Sequence, residues 1–272
     1  MKRIYFDHAA TTPVKKEVLE KMLPYFSEIY GNANSQHMFG RDAVKAVDEA
    51  RDTVARIINA KPSEIYFTSG GSESDNQAIR SAAYAGAAKG KKHIISTNFE
   101  HHAVLHTLKA LRSEGFEVTC LPVDAEGLIT PQAVQAAIRP DTALVTIMYA
   151  NNEVGTILPI REIGAVCRAN NVIFHTDAVQ AVGHVPIDVK ALDVDMLSLS
   201  GHKLPAPKGV GALYIRKVLH IQRFMEGGAQ ERTHPAATGS VAPLVAVGPA
   251  LELAVKHRDL TVTATNPLAA TP

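Results

Sequence analysis

The 272-residue sequence has no tryptophan, two cysteines and only 6% aromatic residues. Two cysteines in a chain this long cannot form a disulfide framework. Cys120 alternates with Phe116 and Val118 in "FEVTCLPVD", and Cys167 sits on the apolar side of "REIGAVCRANN". Both therefore read as core thiols rather than reactive ones. Charge of either sign is not in excess, with 28 Lys plus Arg against 27 Asp plus Glu. No global field then favours nucleic acid or a membrane surface. No apolar run approaches membrane-spanning length, and "MKRIYFDHAATTP" lacks the apolar core of a signal peptide. The expectation is a cytoplasmic protein that binds no nucleic acid, no membrane and no metal.

What is present is an alternation of two periods. Strand-like runs occur at 64–69, 93–98, 117–123, 142–149, 172–176, 195–199 and 211–216, and a short one is expected at 3–6. Helical spacing separates most of them, at 72–89, 103–115, 131–138 and 159–171. Two further helices precede this alternation, one interrupted near Pro24 and one carrying Val44, Val47, Val54, Ile57 and Ile58. Strands alternating with crossover helices imply an α/β domain with a mostly parallel central sheet and helices on both faces. The expected organisation is an N-terminal segment at 1–14, a large domain at 15–258 and an irregular tail at 259–272, where Thr, Ala and Pro break the periodicity.

Ligands of open α/β sheets gather beyond the carboxyl ends of the strands, so the segments that follow each strand are the informative ones. "GGSESDN" opens a helix after the first: Gly70 and Gly71 permit close approach, and Ser72 offers a donor to an anion such as phosphate, or equally caps the helix. "ANNEVG" supplies two amides and a carboxylate, which could also be turn formers. "HTDAVQAVG" places Asp177 and Gln180 at a strand end, where a carboxylate can hold a pyridinium nitrogen protonated or cap a helix. "SLSGHKLPAPKGVGALYIRK" ends a strand at Ser200 and fixes His202 and Lys203 in a rigid turn. Anion cradle, amide, carboxylate and lysine, each beyond a different strand, are the parts of a pyridoxal phosphate site with a Schiff-base lysine.

Together, "YFDHAATTP", "GNANSQH", "YFTSGGSESDN", "EHHAVL", "ANNEVGTILPI", "HTDAVQAVG", "SGHKLPAPKGVGALYIRK" and "GGAQER" resemble the cysteine desulfurases among the class V pyridoxal-phosphate enzymes. The resemblance implies the large domain of a fold-type I pyridoxal-phosphate-dependent transferase. It implies that Lys203 links covalently to the cofactor, and that His101 stacks on its ring and assists proton transfer. Asp177 would pair with the ring nitrogen, and Gln180 and Asn152 would lie near the ring oxygen. Gly71, Ser72, Ser200 and His202 would hold the phosphate. Thr238 would reach the phosphate of the neighbouring subunit in a homodimer. The implied reaction converts L-cysteine to L-alanine and passes sulfur to an acceptor, possible recipients being iron–sulfur scaffold proteins.

The pattern departs from that family in three places. Leu204-Pro205-Ala206 replaces the usual loop after the lysine, and "THPAATGSVAP" with Pro235 stands where an arginine is common. The family's small C-terminal domain, with its nucleophilic cysteine and carboxylate-binding arginine, has no counterpart in these 272 residues, so desulfuration is expected to be impaired. Alternative expectations are another class V activity, such as selenocysteine lyase or aminotransferase, or a non-catalytic cofactor-binding, dimerising protein.

Overall fold

The structure, a computed structural model, describes residues 3–219 and 240–269, with side chains of the last helix through Arg258. Seven strands form one sheet: β1 (Ile65–Thr68), β2 (His93–Thr97), β3 (Glu117–Leu121), β4 (Thr142–Thr146), β5 (Ile173–Asp177), β6 (Met196–Ser200) and β7 (Gly211–Ile215). Their order is β1-β7-β6-β5-β4-β2-β3, and only β7 runs antiparallel to its neighbours. The mixed, mostly parallel sheet follows from the crossovers read in the sequence, because parallel neighbours need a covering connection between them.

Alternation along the strands divides the core between two faces. Ile94, Leu144, Met196 and Leu213 pack on one side with α4 (Gly71–Ala87) and α5 (His102–Ser113), through Ala78, Ile79, Ala82, Leu108 and Leu111. Ile95, Val145, Leu197 and Tyr214 face the other side. There they meet α3 (Met38–Ile57), α7 (Ile160–Ala169) and α8 (Val241–Ala269), with α1 (Lys16–Met22) outside them. Short helices α2 (Pro24–Ser27) and α6 (Pro131–Ala137) complete the set; Pro24 opens α2 at the expected interruption.

Two expectations change. Residues 3–6 form no strand, and Ile4 and Phe6 are exposed, because no neighbouring strand offers a ladder to them. The backbone of α8 continues through Ala269, so 259–269 is helical where an irregular tail is expected; a helix already nucleated and docked through Leu244, Val247 and Leu251 needs only propagation to extend, and Pro267 stands only two residues from the end. Val44 points outward from α3, whereas Val47, Val54 and Ile58 are buried. Cys167 lies in the core of α7, but Cys120 is only half-buried, since β3 is a sheet edge covered on fewer sides.

Candidate active site

The sheet brings the carboxyl ends of β1, β2, β4, β5 and β6 to one edge, and a cavity of about 380 Å³ opens there. Its floor and walls contain Gly71, Ser72, His101, Asn152, Asp177, Gln180, Ser200, His202 and Lys203. Nine of the ten residues singled out from sequence thus meet in one place. Thr238 lies outside the described residues.

The anion end is built by β1, the turn behind it and the start of α4. Gly70 has φ 152°, a region closed to residues with a side chain, and a Cβ on Gly71 would lie 2.8 Å from Val179 Cγ2. Ser74 N donates the first helical hydrogen bond, to Gly70 O (3.1 Å), so the N–H groups of Gly71, Ser72 and Glu73 have no intrahelical acceptor. Those donors, the Ser72 and Ser200 hydroxyls and His202 surround the space a phosphate would need.

Lys203 stands in a one-turn 3-10 helix, Gly201–Lys203, between β6 and β7. Gly201 N donates to Val210 O (2.9 Å), which clamps the turn. The "DHAATTP" segment folds over it: Lys203 Nζ donates to the carbonyls of Ala9 and Ala10. Thr12 N and Oγ1 both donate to His202 O, at 3.0 and 3.1 Å. Burial pulls the Lys203 amine below the ordinary lysine value, although Asp177, Asp7 and Glu153 act in the opposite direction. Burial also lowers His202, helped by the charges of Lys203 and Lys208. Leu204 and Ala206, the departures after the lysine, are buried in the core. Lys203 also borders a second cavity of about 720 Å³ between the N-terminal segment and α8.

Asp177 ends β5 and is 5% exposed; Val179 N donates to its Oδ1 (2.9 Å). Burial raises it above the ordinary carboxyl value, opposed by the Val179 hydrogen bond and by His101 and Lys203. His101 caps α5, its Nδ1 accepting from Ala103 N (3.1 Å), which leaves the hydrogen of the neutral ring on Nε2. Gln180 Nε2 donates to Ala9 O (3.2 Å). The two amides of "ANNEVG" divide their work. Asn151 makes the turn, its Oδ1 accepting from Glu153 N and Val154 N at 2.8 and 3.0 Å, while Asn152 lines the cavity and donates to Glu153 Oε1.

Sequence reading missed two buried acids here. Asp75, in the second turn of α4, lines the cavity at 1% exposure. Glu100, just before His101, accepts from Thr97 Oγ1 (2.7 Å) and Met148 N (3.1 Å), and burial pushes it up to about 8. A carboxylate next to a helix start looks like a solvated cap in sequence, so neither carried a signal. Neither cysteine lines the cavity.

The Aminotransferase class-V description matches residues 4–252. The chain belongs to this family. Its curated relatives include the cysteine desulfurase IscS of Methanosarcina thermophila, 55% identical over 93% of this chain. The class-V chain spans 62% of that relative's length. Among solved structures, a NifS-like protein superposes with a TM-score of 0.95 at 40% identity, covering 99% of this chain and 74% of the other. A structure described as SspA in complex with cysteine gives 0.89 at 44% identity, covering 92% and 72%. The class-V chain therefore has the fold-type I architecture of the NifS-like pyridoxal-phosphate-dependent enzymes and resembles the cysteine desulfurases among them.

Proposed function

We infer that the cavity holds pyridoxal phosphate and works on L-cysteine in the manner of a cysteine desulfurase. The donor set supports the cofactor: unpaired helix-start N–H groups, two serine hydroxyls, an imidazole, a buried carboxylate and an amine line one cavity. The glycine at position 71 supports it too, since a Cβ there would collide with Val179 in the wall of the cradle. When bound, pyridoxal phosphate supplies a carbonyl that links to amines and an electron sink for charge on the substrate Cα.

The chain's own residues have separable tasks. Ser72, Ser200, His202 and the first N–H groups of α4 bind the phosphate. Lys203, its charge weakened by burial, offers an amine from a 3-10 turn held by the Gly201 N–Val210 O hydrogen bond. Asp177 keeps a proton on the ring nitrogen by offering an opposite charge in a dry site. We assign the movement of a proton at the substrate Cα to His101 and Lys203, which line the same cavity. Cysteine is the amino acid favoured by the similarity to IscS and by the relative solved with cysteine.

The sulfur-accepting step needs a thiolate beside the substrate. Cys167 is 1% exposed and burial pushes its thiol up to about 12, and Cys120 lies on the edge strand. Neither supplies that thiolate, so we expect the 272-residue chain to bind and deprotonate cysteine without completing sulfur transfer. We also propose a homodimer with Thr238 at its interface; the exposed apolar side chains of Tyr30, Met38 and Phe39 are surface that such a partner could cover. Iron–sulfur scaffold proteins are the acceptors of sulfur in this reading, in a cytoplasmic setting.

The observation that carries the reading is the meeting of Lys203, Asp177 and the α4 cradle in one cavity. Borohydride reduction of the protein with pyridoxal phosphate, followed by peptide mass analysis, tests it. The label should fall on Lys203 and vanish in Lys203→Ala. A label that persists elsewhere in that variant would overturn the assignment.

A further inference from the structure

Asp75 has no explanation within the roles above. It is 1% exposed, lines the cavity and leaves Oδ1 without a hydrogen-bond partner among the described residues. A buried ionised carboxylate with an empty acceptor is unfavourable unless a proton or a partner relieves it.

The sheet beneath it offers a row of polar groups rather than a cation. The period of two on β5 puts His175 on the same face as Asp177. The registers Thr146↔His175 and Asp177↔Ser198 set β4 and β6 beside it. His175 Nδ1 is 2.8 Å from Thr146 Oγ1, its Nε2 is 2.9 Å from Ser198 Oγ, and the same Nε2 is 3.7 Å from Asp75 Oδ1. Burial pushes His175 down to about 3, so the ring is neutral and carries one hydrogen. Burial raises the Asp75 carboxyl well above its ordinary value, against hydrogen bonding by the Ser198 hydroxyl, which favours the charged form.

Counting hydrogens leaves two self-consistent arrangements. With Asp75 ionised, Ser198 donates to it, His175 Nε2–H donates to Ser198, and Thr146 donates to Nδ1. With Asp75 protonated, every bond reverses: Asp75 donates to Ser198, Ser198 donates to Nε2, and Nδ1–H donates to Thr146. Electrostatics selects between them. Asp177 faces His101 and Lys203, which favour its charged form, whereas the charged neighbours acting on Asp75 are the acids Asp177 and Glu100. A charge on Asp177 raises the cost of ionising Asp75 as well.

We propose that Asp75 is a positioning residue that keeps its proton so that Asp177 alone carries the negative charge beneath the ligand, with the Ser198–His175–Thr146 chain oriented to match. The proposal rests on the cofactor reading for its purpose, since the charge reserved on Asp177 is the one a pyridinium would meet. The proton itself is a property of the protein.

Infrared spectroscopy of the full chain, with and without pyridoxal phosphate, tests this. The carbonyl stretch of a protonated buried acid is assigned to Asp75 by its loss in Asp75→Asn, or in Asp75→Ser where the first variant does not fold. We expect the band at pH 7 in the wild-type chain. In Asp177→Asn, where the competing charge is gone, the titration midpoint of the band should move down by about one pH unit or more. Nitrogen NMR should find the His175 hydrogen on Nδ1. Absence of the Asp75 band at pH 7, or a midpoint unmoved in Asp177→Asn, would overturn the proposal. Failure of the wild-type chain to take up pyridoxal phosphate would instead sink the cofactor reading, while the protein's own band remains readable.

Discussion

Asp177 shows what one buried side chain is asked to do. Desolvation favours its neutral form, while Val179 N, His101 and Lys203 favour the anion, and a bound ring cation would add to the second group. Asp177→Asn removes that charge but keeps the shape and an acceptor for Val179 N. We predict that exchange of the substrate α-hydrogen with solvent slows by about tenfold or more, roughly one pH unit's worth of lost stabilisation, while pyridoxal phosphate still binds. Proton NMR in deuterated water measures the exchange, and wild-type rates in the variant would remove Asp177 from this role. That Lys203, Asp177 and Ser72 share one cavity is legible because each follows a strand end, which a sequence displays. Asp75 and Glu100 were not, because their meaning lies in burial and in neighbours more than 20 positions away, His175 and Met148 among them.

At the scale of elements, periodicity found every strand of the sheet from β1 to β7, and missed where periodicity carries no information about partners. Residues 3–6 have strand composition without a neighbouring strand. Cys120 has the alternation of a buried face, yet β3 lies at the edge and leaves it half-buried, with Arg112 Nη2 3.3 Å from its sulfur. Cys167, by contrast, lies on the buried face of α7 against the core. The two thiols should therefore part company in a labelling experiment. A thiol reagent at pH 8 is predicted to modify Cys120 in the native protein and to reach Cys167 only on unfolding, because a buried thiol pushed up to about 12 presents almost no thiolate. Mass analysis of the labelled peptides decides it; fast native labelling of Cys167 would show α7 to be less firmly docked.

For the whole molecule, the buried titratable groups set how stability varies with pH. Glu100 is raised to about 8 from an ordinary value near 4.5, so the folded state holds a proton that the unfolded state releases, and stability falls as pH rises from about 4.5 toward 8. Asp75 is raised for the same reason and adds to that fall. His175, lowered to about 3, works in the other direction: below about 6.5 the unfolded state takes up a proton that the folded state refuses. Opposing slopes overlap between about 4.5 and 6.5, where denaturation midpoints should be highest, and Glu100→Gln should flatten the decline above pH 6.5, which is about 1.4 kcal/mol per pH unit per group. An unchanged alkaline slope in that variant would place the proton elsewhere. The central claim concerns chemistry rather than stability: we propose that this chain's cavity binds cysteine and loosens its α-hydrogen, and that neither Cys120 nor Cys167 takes the sulfur. The direct measurement incubates the pyridoxal-phosphate-loaded protein with cysteine in deuterated water and follows α-hydrogen exchange, alanine and protein persulfide together. The account predicts exchange without persulfide or catalytic alanine formation. Sustained alanine production that disappears in Cys120→Ala or Cys167→Ala would contradict it.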